Sequence, residues 1–138
     1  MLTILVVDDE APLRAAVREI LEINGYQVVE ACDGLEAFQV FVSSDIGLVI
    51  TDMVMPNLDG IGFITKLRES FPFVPILTMS GGTRIASEGQ LATDVYENER
   101  LAKPFTAAEL LKKVAKLTSE VELWGLEGDA LLNALADS

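Results

Sequence analysis

Three aspartates, a serine and a lysine stand where short apolar runs end: Asp8 and Asp9 after residues 3–7, Asp52 after 47–51, Ser80 after 74–79, and Lys103 just past Leu101. Clustered carboxylates raise each other's pKa unless a cation neutralises them, so three together point to a hard divalent ion. Magnesium suits the set, because it accepts a few carboxylate oxygens and completes its octahedron with water and phosphate. A carboxylate can also attack phosphorus and become an aspartyl phosphate. Asp52 is the best placed nucleophile, with Lys103 and the Ser80 hydroxyl to hold phosphoryl oxygens. Gly81 leaves open space beside Ser80, and backbone N–H groups near Met53 and Gly81 complete a cradle. Singly, each residue reads as a solvated loop, a cap or an edge; the conjunction carries the chemistry.

The elements that must position these residues are legible as an alternation. Residues 3–7, 47–51 and 74–79 are apolar, β-branched runs of the kind covered on both faces of a sheet. Between them lie helical patterns: Leu13, Val17, Ile20 and Leu21, then Leu35, Phe38 and Phe41, then Ile61, Ile64 and Leu67. Alternating strands and helices mean βαβ units and a parallel sheet. Right-handed crossovers then bring the C-terminal ends of all strands to one edge, where ligands of open α/β sheets bind.

Local signals agree. Pro12 suits a first helical turn, Asn24-Gly25 a helix end, and Asp33 and Asp59 N-cap positions. Thr106 and Glu109 form a capping box for a last helix running to about Leu117. A fourth helix and an edge strand are expected between Gly81 and Leu101, where only Leu101 is strongly apolar near the strand.

Composition narrows the function. The 138 residues, half of them hydrophobic, suit one domain with a core. Twenty-two acidic against ten basic side chains give a charge of −12, which repels nucleic acid. No apolar run reaches the roughly 20 residues that span a bilayer, and no basic leader precedes the first strand, so a cytoplasmic chain is expected. Cys32 is expected as a packed core thiol, and the absence of histidine means that any phosphohistidine donor is another molecule.

From Leu5 to about Leu117 the sequence resembles the response-regulator receiver family, through LVVDDE (5–10), VVEACDGLEA (28–37), VITDMVMPNLDG (49–60), PILTMSG (75–81) and LAKPF (101–105). The resemblance implies a flavodoxin-like, doubly wound, five-stranded parallel sheet in the order 2-1-3-4-5 with helices on both faces. It implies Asp52 as phosphoacceptor and magnesium held by Asp9, Asp52 and the Val54 carbonyl, with Asp8 acting through metal-bound water. Ser80 looks like the switch hydroxyl, Lys103 like the phosphate contact, and Pro104 like the residue after a cis peptide; Glu10 falls near the start of the first helix. The implied partners are a sensor histidine kinase or phosphotransfer protein and a downstream protein target, with no direct nucleic acid or membrane contact. The domain division is 1–118 for the receiver and 119–138 for an acidic tail, whose Leu131, Leu132 and Leu135 fit a short helix of a stand-alone regulator.

Three positions depart from the family pattern: the small Gly-Ala pair before the fifth strand is missing, Val54 is apolar, and Arg100 stands where an aromatic is common. Two rival functions follow the same residues less well. A phosphatase of the haloacid-dehalogenase type needs an Asp-x-Asp pair, whereas Asp8 is followed two places on by Glu10 and Asp52 by Val54. A receiver-shaped interaction module would not need the complete acid, hydroxyl and lysine set. The chain is thus expected to be no enzyme beyond catalysing its own phosphorylation and dephosphorylation.

Overall fold

Residues of β1 (Thr3–Val7) point alternately to two cores, as the two-residue period of a strand requires. Ile4 and Val6 join one apolar cluster, while Leu5 and Val7 join the other. A strand buried on both faces belongs in the middle of a parallel sheet, and β1 pairs with β2 (Gln27–Ala31) on one side and β3 (Leu48–Asp52) on the other. β4 (Ile76–Gly81) and β5 (Glu99–Lys103) complete the parallel sheet in the order β2-β1-β3-β4-β5. These are features of a computed structural model that describes residues 2–55, 57–81 and 98–124.

Four helices among the described residues cover the sheet: α1 (Ala11–Ile23), α2 (Gly34–Ser43), α3 (Gly60–Ser70) and α4 (Ala107–Trp124). Val17 and Leu21 of α1 share a core with Leu110, Val114 and Leu117 of α4. Ala37 and Phe41 of α2 share the opposite core with Phe63, Ile64 and Leu67 of α3. Each fully buried Leu, Ile or Phe contributes about 1.5–3 kcal/mol, so the two layers fix the sheet from both sides. The doubly wound α/β fold expected from the sequence is the one observed. No helix among the described residues is long and apolar enough to cross a membrane.

The caps fall where the sequence places them. Asp33 accepts from the Glu36 N–H and Asp59 from the Gly62 N–H, each at 2.9 Å, while Thr106 and Glu109 exchange the reciprocal bonds of a capping box. Gly25 follows the end of α1 with φ of 92°, a left-handed conformation that glycine adopts without penalty.

Four expectations are corrected. β4 begins at Ile76 instead of residue 74, because Pro75 has no N–H to give a strand paired on both sides; Ile76 instead donates to Asn98 Oδ1 at 2.7 Å. The last helix continues through Trp124 and does not stop near Leu117. On α2 the inward face is Gly34, Ala37 and Phe41, leaving Leu35 exposed. Cys32 is exposed and not a core thiol: Ala31 takes the inward position, so the next residue faces out, and the Glu36 carboxylate beside its sulfur raises the thiol pKa. The expected fourth helix, and the short helix at Leu131 to Leu135, lie outside the described residues.

Gly60 sets the distance between α3 and the end of β3. A Cβ there would run into the backbone of Asp52 and Met53, and the Gly60 N–H donates to the Met53 carbonyl at 3.1 Å. Gly60→Ala should therefore lower unfolding free energy by about 1–3 kcal/mol, the usual cost of overpacking. Urea denaturation of the two proteins measures the difference.

Candidate functional site

Register brings the chemistry-bearing residues to one edge. Asp8 and Asp9 follow β1, Asp52 closes β3 opposite Met79, and Gly81 at the end of β4 pairs with Lys103 at the end of β5. Ser80 precedes Gly81, half-buried, with Ala102 opposite. Lys103 crosses two strands to reach the acids: its Nζ lies 3.2 Å from Asp8 Oδ2 and 3.3 Å from Asp52 Oδ1. The Lys103-Pro104 peptide is cis, as the resemblance implied.

The two bridged carboxylates are buried, Asp8 completely and Asp52 to 6 % exposure, whereas Asp9 faces solvent. One oxygen from each of the three lies within 4.8 Å of the others. Asp8 is fully engaged, because its Oδ1 accepts from the Glu10 N–H at 2.9 Å while its Oδ2 meets Lys103. Asp52 Oδ1 also accepts from the Met53 N–H at 2.8 Å.

Electrostatics follow from this packing. Burial raises the Asp52 pKa and the Asp8 charge adds to it, against the opposing pull of Lys103 and the Met53 N–H. Burial alone would depress the Lys103 ammonium, but Asp52 and Asp8 outweigh it and hold its pKa above the ordinary value. Among the described residues, three carboxylates against one ammonium leave an excess of negative charge with all-oxygen donors and an exposed member at the mouth. That donor set fits a hard divalent cation of the magnesium type.

Of the expected site residues, Asp8, Asp9, Asp52 and Lys103 are brought into one cluster, and Ser80 and Gly81 border it. A side chain at Gly81 would meet no other atom among the described residues, in keeping with the room expected beside Ser80. Val54 is exposed two residues beyond Asp52. The Met53 N–H is present at the site but committed to Asp52 itself. Arg100 is half-buried opposite Thr78. A pocket of about 350 Å³ lined by Glu10, Leu13, Lys103, Pro104 and Phe105 opens beside the lysine.

Sequence reasoning missed two supports. Gly60 was readable only as the residue after a cap, yet its missing side chain lets α3 abut Asp52. Arg14, on the polar side of α1, donates through Nη1 to the Asp8 carbonyl at 2.6 Å, and nothing in the helical period announces that reach.

Comparison with known proteins agrees with this geometry. A family model described as the response regulator receiver domain matches residues 4–115. The chain is 35 % identical over 120 residues to response regulator MprA of Mycobacterium ulcerans, an alignment covering 87 % of this chain and 51 % of that protein. It is 36 % identical over 114 residues to the MprA of Mycobacterium avium, covering 83 % and 50 %. The chain thus spans about half the length of these relatives. Among solved structures, a response regulator receiver domain protein from Clostridium thermocellum superposes with a TM-score of 0.83 at 28 % identity, covering 90 % of this chain and 99 % of that one. Chemotaxis response regulator CheY4 of Vibrio cholerae gives 0.77 at 30 % identity, covering 85 % and 98 %.

The raised Asp52 pKa has a consequence for stability. The unfolded chain ionises this carboxyl more readily than the folded one, so at neutral pH its charge favours unfolding. Asp52→Asn should melt higher than wild type in chelator at pH 7. The gap should narrow as pH falls and close below about 4, where the unfolded carboxyl also takes up its proton. Calorimetric melting of both proteins across that range measures it.

Proposed function

Since the chain belongs to the response regulator receiver domain family, we propose that it is a phosphorylation switch in which Asp52 accepts a phosphoryl group from a partner phosphohistidine. The observation that carries this reading is the Lys103 ammonium held between the buried carboxylates of Asp8 and Asp52, with Asp9 beside them at the mouth.

Asp9, Asp52 and the Val54 carbonyl would hold magnesium, and Asp8 would act through a water of the ion's shell. The bound ion would supply charge neutralisation for the approach of an anionic donor. An Asp52 carboxylate oxygen attacks phosphorus in line, the bond from phosphorus to the donor imidazole nitrogen breaks, and the released nitrogen takes a proton from solvent. Burial serves the reaction because the nucleophile sheds little water, and its raised pKa marks a carboxylate of increased basicity.

Once Asp52 is an acyl phosphate its charge moves outward onto the phosphoryl oxygens. Lys103 can follow, exchanging its Asp52 contact for a phosphoryl oxygen while Asp8 retains it. The Ser80 hydroxyl would supply a further contact, Gly81 leaves room for the group, and the Met53 N–H would follow the charge from the Asp52 oxygen that it now binds. Movement of Ser80 and of β4 toward the phosphoryl group would carry the change to a downstream protein. The kinase or phosphotransfer partner would approach over the pocket beside Lys103 and Pro104. Strong negative charge argues against direct nucleic-acid contact by this domain, and the setting proposed is the cytoplasm.

Intact-mass measurement after incubation with acetyl phosphate tests the reading. One phosphoryl group should be gained with magnesium and none in chelator, and Asp52→Asn should gain none. Equal phosphorylation of that variant, or no metal dependence in wild type, would refute it.

A further inference from the structure

Asp9 is the exposed acid of the cluster, and among the described residues its side chain has no hydrogen bond or ion pair to hold it. Its direction is therefore set by the backbone turn between β1 and α1. Two bonds brace that turn, one from β2 and one within the loop: the Asp8 N–H donates to the Ala31 carbonyl of β2 at 3.2 Å, and the Glu10 N–H to Asp8 Oδ1 at 2.9 Å. Neither fixes the peptide plane joining Asp8 to Asp9, whose rotation swings the Asp9 side chain.

Arg14 holds that plane. Its Nη1 donates to the Asp8 carbonyl at 2.6 Å, and its Nε donates to Glu30 Oε1 on β2 at 2.8 Å. Glu30 is in turn gripped through Oε2 by Arg18 Nη1 at 2.7 Å, one turn further along α1. The guanidinium fork suits this task, because two donors in one rigid plane reach two acceptors at once. Arg14 is largely buried, at 19 % side-chain exposure, so water competes weakly for the pair.

We propose that Arg14 is a positioning residue for divalent-cation binding: by clamping the Asp8 carbonyl to Glu30 it fixes the turn that aims Asp9 at the ion. The inference rests on the functional reading above, in which Asp9 is a ligand. It separates from a merely electrostatic role by sign. Removing a positive charge beside three carboxylates would by Coulomb attraction alone tighten binding of a cation, whereas loss of the clamp weakens it.

Titration calorimetry with magnesium chloride on the full chain provides the test, with chelator-treated melting curves alongside as a measure of folding. Arg14→Met should bind magnesium about tenfold more weakly, the scale typical of losing a group that orients a ligand. Arg14→Lys keeps the charge and the fold but loses the planar fork, and should also bind more weakly than wild type. Affinity equal to or tighter than wild type in either folded variant would overturn the clamp. Wild type without magnesium binding, or Asp9→Asn binding as tightly as wild type, would instead overturn the functional reading on which it rests.

Discussion

The Lys103 ammonium between Asp8 and Asp52 is the contact on which the site depends. Two carboxylates with almost no exposure cannot share one strand edge without compensation, and removing the lysine, which leaves both without a counter-charge, would cost on the order of 3–5 kcal/mol. The lysine reaches them from β5, two strands from the β3 of Asp52 and three from the β1 that leads to Asp8, so its contact ties the β5 edge to the centre. Among the described residues compensation is partial, however, and the remaining negative charge fits the cluster to a hard cation.

Everything else in the fold serves to bring four strand ends level. Central strands β1, β3 and β4 are apolar on both faces, which places them in the interior and carries Asp8 and Asp52 to its rim. Close approach of α3 at Gly60 and the Arg14 contact to Asp8 then lock the two acid-bearing loops from opposite layers. The site is therefore rigid at its base, where Asp8, Lys103 and Asp52 interlock, and open at Asp9 and Gly81. A phosphoryl group needs such a combination: fixed donors beneath and free space above.

The layered fold was legible because each strand and helix kept one period. Residues 3–7 could be nothing other than a buried strand, and Asp33, Asp59 and Thr106 announced their helices through side chains that must find an N–H. The acid cluster was legible because its members sit at strand ends, where topology alone assembles them. Boundaries were less so: Pro75 shortens β4 at its start, and α4 runs past Leu117 to Trp124. Cys32 was misplaced because apolar neighbours in sequence say nothing of which way a residue points once Ala31 has taken the inward position. Contacts between elements distant in sequence, such as Arg14 with Glu30 and Arg68 with Asn98, depend on packing that no local period encodes.

That one named carboxylate receives the phosphoryl group is the account's central claim, and reductive trapping tests it directly. Borohydride converts an acyl phosphate on aspartate to homoserine, leaving free carboxylates untouched, and peptide sequencing by mass spectrometry then locates the change. The account predicts homoserine at position 52 alone after treatment with a phosphoryl donor and magnesium. Homoserine at position 8 or 9, or none at all in protein whose mass shows a phosphoryl group, would contradict it.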